Sequence, residues 1–371
     1  MIKVLIGDMF QSNADFLVNT VNCEGVMGKG VALEFKKKFP EMFKEYLTMC
    51  KSGEITPGKL TVHGGMFDSK KVINFPTKKH WRSPTLVRDI ESGLDFFLEN
   101  YKKWGIEKVA FPPLGCGNGG LTWEVVGPLM YQKLKDIEDI DIEIYAPFGT
   151  AEEKLSKKYL EENENAYRPE KGSLMRSSLQ PGEILVVETL YRLQNRAYAK
   201  PIGRIMFQKA CYILTETGAP TDFKFVENSF GPYSSEAKKS ITILANNNLT
   251  TEEKVGNMLK TTVSQNYEKF RKDYASFIAD NEKYISKAVD LLSRIKNTSQ
   301  GEEVATVIHA TKAVAEKTDA TPLDSEVIDY IYSWKKTWKG DQLKARSLPD
   351  TVLSLAMLGW INVNISPTTT S

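Results

Sequence analysis

VNTVNCEGVMGKGVA at residues 18–32 and FPPLGCGNGGL at residues 111–121 decide how this chain is read. Each is an apolar, β-rich run that breaks into a glycine loop and then enters a helical pattern. Gly25, Gly28 and Gly30 in the first loop, and Gly115, Gly117, Gly119 and Gly120 in the second, let the backbone approach a ligand closely and adopt positive φ. A helix that starts directly behind such a loop points unpaired N–H groups and a partial positive charge at an anion. Phosphate is the natural occupant, and two cradles in one small domain point to a ligand with a diphosphate at its centre. Neither loop is read as an ATPase P-loop, because VMGKGVA lacks the GxxxxGK[ST] spacing, nor as a dinucleotide fingerprint.

Outward from the loops, residues 1–150 alternate short β-branched runs with helical patterns, the form of an α/β domain with helices on both sheet faces. The candidate strands are IKVLI, FLVNTV, KLTVH, KKVINF, KVAFPP and IEIYAP. A helix is expected over residues 83–103, with Ser83 as cap, Pro84 in the first turn and Leu86, Ile90, Leu94, Phe97 and Tyr101 on one face. Thr122 is expected to cap another, carrying Val126, Met130 and Leu134. Residues 151–181 are charged and then rich in Ser and Pro, with little to bury, and read as a linker holding at most one exposed helix. From 182 to 371 helical spacing dominates, in 206–214, 235–245, 284–295, 302–315 and 325–338, so a second, mainly α-helical domain is expected.

With 371 residues the chain is long for one core and suits two domains. Its 49 Lys and Arg nearly cancel 47 Asp and Glu, so no global basic field advertises nucleic acid. The four cysteines, Cys23, Cys50, Cys116 and Cys211, form no CxxC and no metal-ligand spacing, so no zinc or other metal is expected. MIKVLIGDMF reads as a first strand rather than a signal peptide, which places the chain in the cytoplasm. The apolar stretch VLSLAMLGWINV is shorter than the roughly twenty residues needed to cross a bilayer.

Four segments in order, LIGDMF, VNTVNCEGVMGKGVALEF, NFPTKKHW and PPLGCGNGGLTW, resemble the macrodomain family, the ADP-ribose-binding α/β module, and most of all its DNA ADP-ribosyl glycohydrolase branch, the DarG antitoxins. The resemblance covers about residues 1 to 148 and implies a three-layer α/β/α fold with a mixed central sheet. It also implies that Asp8 accepts a hydrogen bond from the adenine amino group and that Met9 lies against the base. Thr20 and Asn22 would bind the ligand, Asn22 holding the distal ribose. Gly25, Val26, Met27, Gly28, Lys29, Gly30 and Val31 would wrap the distal ribose and one phosphate. Leu114, Gly115, Cys116, Gly117, Asn118, Gly119, Gly120 and Leu121 would cover the diphosphate from the other side. No cofactor is implied.

Catalysis is assigned by the same resemblance to Lys78 in NFPTKKHW. A lysine can stabilise developing charge as a cation, or attack the anomeric carbon of the distal ribose as a neutral amine. Attack needs a lowered pKa, which the adjacent Lys79 and Arg82 and burial in a cleft would favour. The bland account of Lys78 and Lys79 is a solvated basic rim. His80 reads as a proton carrier or a structural group, and Trp81 as a base-stacking or a core residue. A related lysine-using branch has an acidic residue inside the second loop; here that position is Gly119, which argues for the branch acting on DNA bases and leaves the proton donor open.

RIMFQKACYILTETG followed by NSFGPYS resembles the helical domains of such antitoxins. The implied function is removal of ADP-ribose from modified thymine bases in DNA, single-stranded DNA being the expected substrate, with repair of a partner toxin's damage as the outcome. The second domain would bind and silence that partner, a DarT-type DNA ADP-ribosyltransferase. DNA mimicry by that domain would have to be local, because residues 151–371 hold 30 basic and 28 acidic residues. A reader that binds ADP-ribose without cleaving it, with a regulatory protein-interaction domain, is the alternative, and a DNA-binding regulator built on the basic helix RLQNRAYAKPIGRIMFQK is a third class, set against an ordinary solvated face.

Overall fold

Six short apolar runs pair into one sheet in the computed structural model, which describes residues 1–65, 68–163 and 179–366. The chain divides into two compact units, residues 1–177 with 245–247, and residues 178–244 with 248–371.

In the first unit the chain runs β1 (Ile2–Leu5), β2 (Phe16–Asn22), α1 (Gly30–Lys38), α2 (Pro40–Lys51), β3 (Thr61–His63), β4 (Lys71–Lys78), α3 (Val87–Asn100), β5 (Lys108–Phe111), α4 (Trp123–Leu134), β6 (Asp141–Tyr145) and α5 (Lys157–Glu162). The sheet order is β1-β6-β5-β2-β4-β3, parallel except for the antiparallel β3. Side chains alternate across it as strand geometry requires. Phe16, Val18, Ile73, Phe75, Val109, Phe111, Ile142 and Ile144 enter one core with residues of α3 and α4. Leu17, Val21, Val72, Ala110 and Tyr145 enter a second core with Phe35 of α1 and Met42 and Tyr46 of α2. Two cores on two faces make the three-layer α/β/α fold expected from the sequence.

α3 lies close on the sheet because Gly93 leaves room: a Cβ there would stand 2.2 Å from Cζ of Phe75. The helix starts at Val87, not at Ser83. Residues 84–86 stay outside the helix, with Leu86 extended, because the Thr85 amide bonds to the Gly119 carbonyl (2.9 Å) and so serves the second glycine loop instead of a helical turn. The first unit also runs past residue 150. The Trp123 indole donates to the Lys154 carbonyl (3.1 Å) and Leu160 of α5 is buried in the α3/α4 core, so the stretch expected as the start of a linker packs there. Residues 164–178 of that expected linker lie outside the described residues, and its last residue, Pro181, opens a helix of the second unit.

The second unit contains α6 (Pro181–Gln194), β7 (Ile202–Gly203), α7 (Arg204–Glu216), α8 (Ser235–Asn246), β8 (Thr250–Val255), β9 (Met258–Val263), α9 (Tyr267–Asp273), α10 (Ala275–Asp280), α11 (Glu282–Arg294), α12 (Thr298–Thr318), α13 (Asp324–Trp334) and α14 (Gln342–Met357). It is mainly helical, as the 3.6-residue spacing predicts. A small sheet, β7-β9-β8, was not expected. Its hairpin turns at Gly256-Asn257, with Gly256 at φ +59°, a two-residue hairpin signal present in the sequence. The basic segment 192–209 is not one helix either, since α6 ends at Gln194 and α7 begins at Arg204. The Glu188 carboxylate is fully buried and held by Arg192, Arg271 and the Tyr267 hydroxyl. Among the described residues no helix is long and apolar enough to cross a membrane.

Candidate active site

β2, β4 and β5 are parallel neighbours, so their C-terminal ends open on the same edge of the sheet, where open α/β sheets bind ligands. β2 feeds the first glycine loop, β5 feeds the second, and β4 ends at Lys78. The order β5-β2-β4 therefore brings all three together although about ninety residues separate the first loop from the second. A bulge between Val21 and Asn22 sets Asn22 beside Lys78, and the Cys23 amide donates to the Lys79 carbonyl (3.0 Å).

Asn22 organises the first loop. Its Nδ2 donates to the Val26 carbonyl (2.6 Å), while Oδ1 accepts from the amides of Glu24 (3.0 Å) and Val26 (3.3 Å). From below, the buried Tyr46 hydroxyl donates to the Asn22 carbonyl at 2.5 Å. Gly25 has φ +79° and faces Leu47, whose Cδ1 would be 2.6 Å from an added Cβ. Met27 is buried and anchors the loop, whereas Val26, Gly28, Lys29 and Gly30 are exposed. α1 then begins at Gly30 without a side-chain cap, leaving the amides of Gly30 and Val31 to face an anion. Thr20 is half-buried on β2.

The second loop turns through Gly117–Gly119, with Gly115, Gly117 and Gly120 at φ +71°, +76° and +81°. These three glycines stand at GxGxxG spacing, but the sheet around them does not have the strand order of a dinucleotide fold. Leu114 is buried, Cys116 pairs with Leu121 across the turn, and Gly117 and Asn118 are exposed. The Lys78 side chain, 9% exposed, reaches across to this loop and its Nζ donates to the Asn118 carbonyl at 2.9 Å. The lysine is thus held between the two loops, not on a solvated rim.

Asp8 caps a short turn at Met9–Gln11, accepting from the Phe10 amide (3.0 Å) with its carboxylate exposed. Met9 is buried in the α1/α2 core. Three neighbours carried no sequence signal of their own. Glu24, inside the first loop, pairs with His80 Nε2 at 3.1 Å. Because His80 Nδ1 accepts from the Arg82 amide (3.1 Å), the neutral ring carries its proton on Nε2, toward Glu24. Tyr46 and Thr85 are the other two, both buried under a glycine loop. Trp81 is 40% exposed, with the Arg82 guanidinium 4.5 Å from its ring centre. The loop cysteines are poor nucleophiles: burial, with Cys50 nearby, pushes the Cys23 thiol up to about 12, and burial does the same to Cys116.

Residues 18–130 match the Macro domain family. The chain is 37% identical over 247 residues to a DNA ADP-ribosyl glycohydrolase of Mycobacterium tuberculosis, covering 64% of this chain and 65% of the relative. It is 38% identical over 178 residues to a DNA ADP-ribosyl transferase-DNA ADP-ribosyl glycohydrolase fusion protein of Thermosipho africanus, covering 43% and 46%. A solved macrodomain of Mycobacterium tuberculosis DarG is 48% identical and covers 40% of this chain and 98% of that one, with a TM-score of 0.39. The chain spans less than two thirds of the length of either curated relative. Over residues 18–130 the chain therefore carries a Macro domain, and its sequence is similar to that of DNA ADP-ribosyl glycohydrolases.

Proposed function

We propose that the first unit is a DNA ADP-ribosyl glycohydrolase, and the observation that carries this reading is Lys78. A pure ADP-ribose reader needs the two loops but no buried lysine fixed between them. In the proposed complex the diphosphate lies between the free amides at the start of α1 and the turn at 117–119. Asp8 and Met9 then meet the adenine end, and Asn22 with residues 25–31 the distal ribose. Leu114 to Leu121 close over the diphosphate.

Lys78 then stands at the distal ribose in one of two roles. As an ammonium it offsets charge developing on the leaving base. As an amine it attacks the anomeric carbon, the bond from that carbon to the base nitrogen breaks, and the base leaves with the electron pair and takes up a proton; water later displaces the lysine. A modified thymine in single-stranded DNA is the proposed substrate.

The first unit is proposed as the catalytic part, and the second as an antitoxin domain that binds a DarT-type toxin. The relative whose name joins a DNA ADP-ribosyl transferase to a glycohydrolase supports that partner, and a cytoplasmic setting fits it. The test is incubation of the full chain with an ADP-ribosylated single-stranded oligonucleotide. Release of ADP-ribose and restoration of unmodified DNA are expected; binding of ADP-ribose without release would turn the assignment to a reader.

A further inference from the structure

Position 119 is glycine for a reason its backbone does not supply. Gly115, Gly117 and Gly120 have left-handed φ values, but Gly119 does not. What forbids a side chain there is Thr85: a Cβ on Gly119 would stand 2.4 Å from Thr85 Oγ1 and 3.1 Å from its Cβ, and one on Gly115 would stand 2.8 Å from its Cγ2. Thr85 is fully buried, and its amide donates to the Gly119 carbonyl at 2.9 Å. The preceding carbonyl, Asn118, is the one that accepts from Lys78 Nζ at 2.9 Å. Two successive carbonyls of the second loop are therefore held by Thr85 and by the lysine.

We propose that Thr85 is a positioning residue: it seats the Asn118–Gly119 turn against Lys78 and keeps every side chain out of position 119, so that this loop offers the lysine backbone alone. The non-helical course of residues 84–86, ahead of the start of α3 at Val87, is what puts the threonine there. The proposal rests on the reading that Lys78 acts on bound ADP-ribose.

A double-mutant cycle on the full chain tests it. Gly119→Ala is expected to weaken ADP-ribose binding about tenfold and to lower the melting temperature, and Thr85→Ala/Gly119→Ala to bind within about threefold of Thr85→Ala alone. Thr85→Ser/Gly119→Ala, which keeps the obstructing oxygen, should not recover. Thr85→Ala by itself should lower kcat on ADP-ribosylated oligonucleotide more than it raises KM, and Thr85→Ser should restore kcat. Losses that simply add in the cycle, a Gly119→Ala variant that binds and melts like the wild type, or a Thr85→Ala variant with wild-type kcat would overturn the proposal. If the wild-type chain shows no turnover at all, the catalytic reading fails, while the binding and melting cycle still decides the role of Thr85.

Discussion

Asn22→Ala removes three hydrogen bonds from the first glycine loop: one given to the Val26 carbonyl at 2.6 Å and two received from the amides of Glu24 and Val26 at 3.0 and 3.3 Å. At a net of about 1 kcal/mol for each good bond, and less for the longest, the loop loses about 2 kcal/mol of order. Because the loop is a surface turn and not part of the packed core, that loss falls on ligand binding and hardly on global unfolding. It corresponds to about a thirtyfold weaker Kd. Isothermal titration calorimetry with both ADP-ribose and ADP separates two roles for the residue. If Asn22 shapes the loop, both ligands weaken alike, since both carry the diphosphate. Were ADP binding unchanged while ADP-ribose weakened, the residue would act by touching the distal ribose and the loop-shaping argument would be refuted.

Three further outcomes concern stability. Burial pushes the Glu188 carboxyl upward, but hydrogen bonds from Arg271, Arg192 and Tyr267 outweigh it and hold its pKa below the usual range, so the stabilisation it gives is present above the unfolded pKa and lost as the pH falls through the folded one. Glu188→Gln should therefore flatten the acid limb of the stability profile and, by leaving Arg271 without its carboxylate while Arg192 keeps Glu282, cost about 2 kcal/mol near neutrality in urea unfolding. Burial lowers the Lys209 ammonium from 10.5 to about 8, a shift that Glu302 opposes and Lys335 reinforces. A base depressed in the fold gains stability as the pH rises from 8 to 10.5, so the difference in unfolding free energy between Lys209→Met and wild type should move in favour of the wild type by roughly 3 kcal/mol over that interval. Gly93→Ala drives a methyl into the Phe75 ring and should cost about 1 to 3 kcal/mol in thermal or urea denaturation, with ADP-ribose binding retained by the folded fraction.

The strands of the first unit were legible because they are short apolar runs, the central β2, β4 and β5 buried on both faces, and the two glycine loops because phosphate cradles need glycine at fixed places. The start of α3 was not legible. Ser83 and Pro84 are good helix-start residues, but a hydrogen bond to a loop more than thirty residues away takes the Thr85 amide, and local propensity carries no trace of that. Glu24, Tyr46 and Thr85 were missed for the same reason, since each acts through a neighbour that only the sheet order supplies. The hairpin at Gly256-Asn257 carried a readable signal that the surrounding helical spacing obscured. Leu160 looked like part of a charged linker because one buried leucine in a polar stretch makes no periodic pattern.

The central claim is that a lysine outside both glycine loops makes a binding cleft into an active site. Lys78→Ala and wild type, compared in one experiment for ADP-ribose affinity and for release of ADP-ribose from a modified oligonucleotide, test it most directly. Affinity should stay within about threefold, because both loops remain, while release falls by about a thousandfold. Release at the wild-type rate would contradict the account.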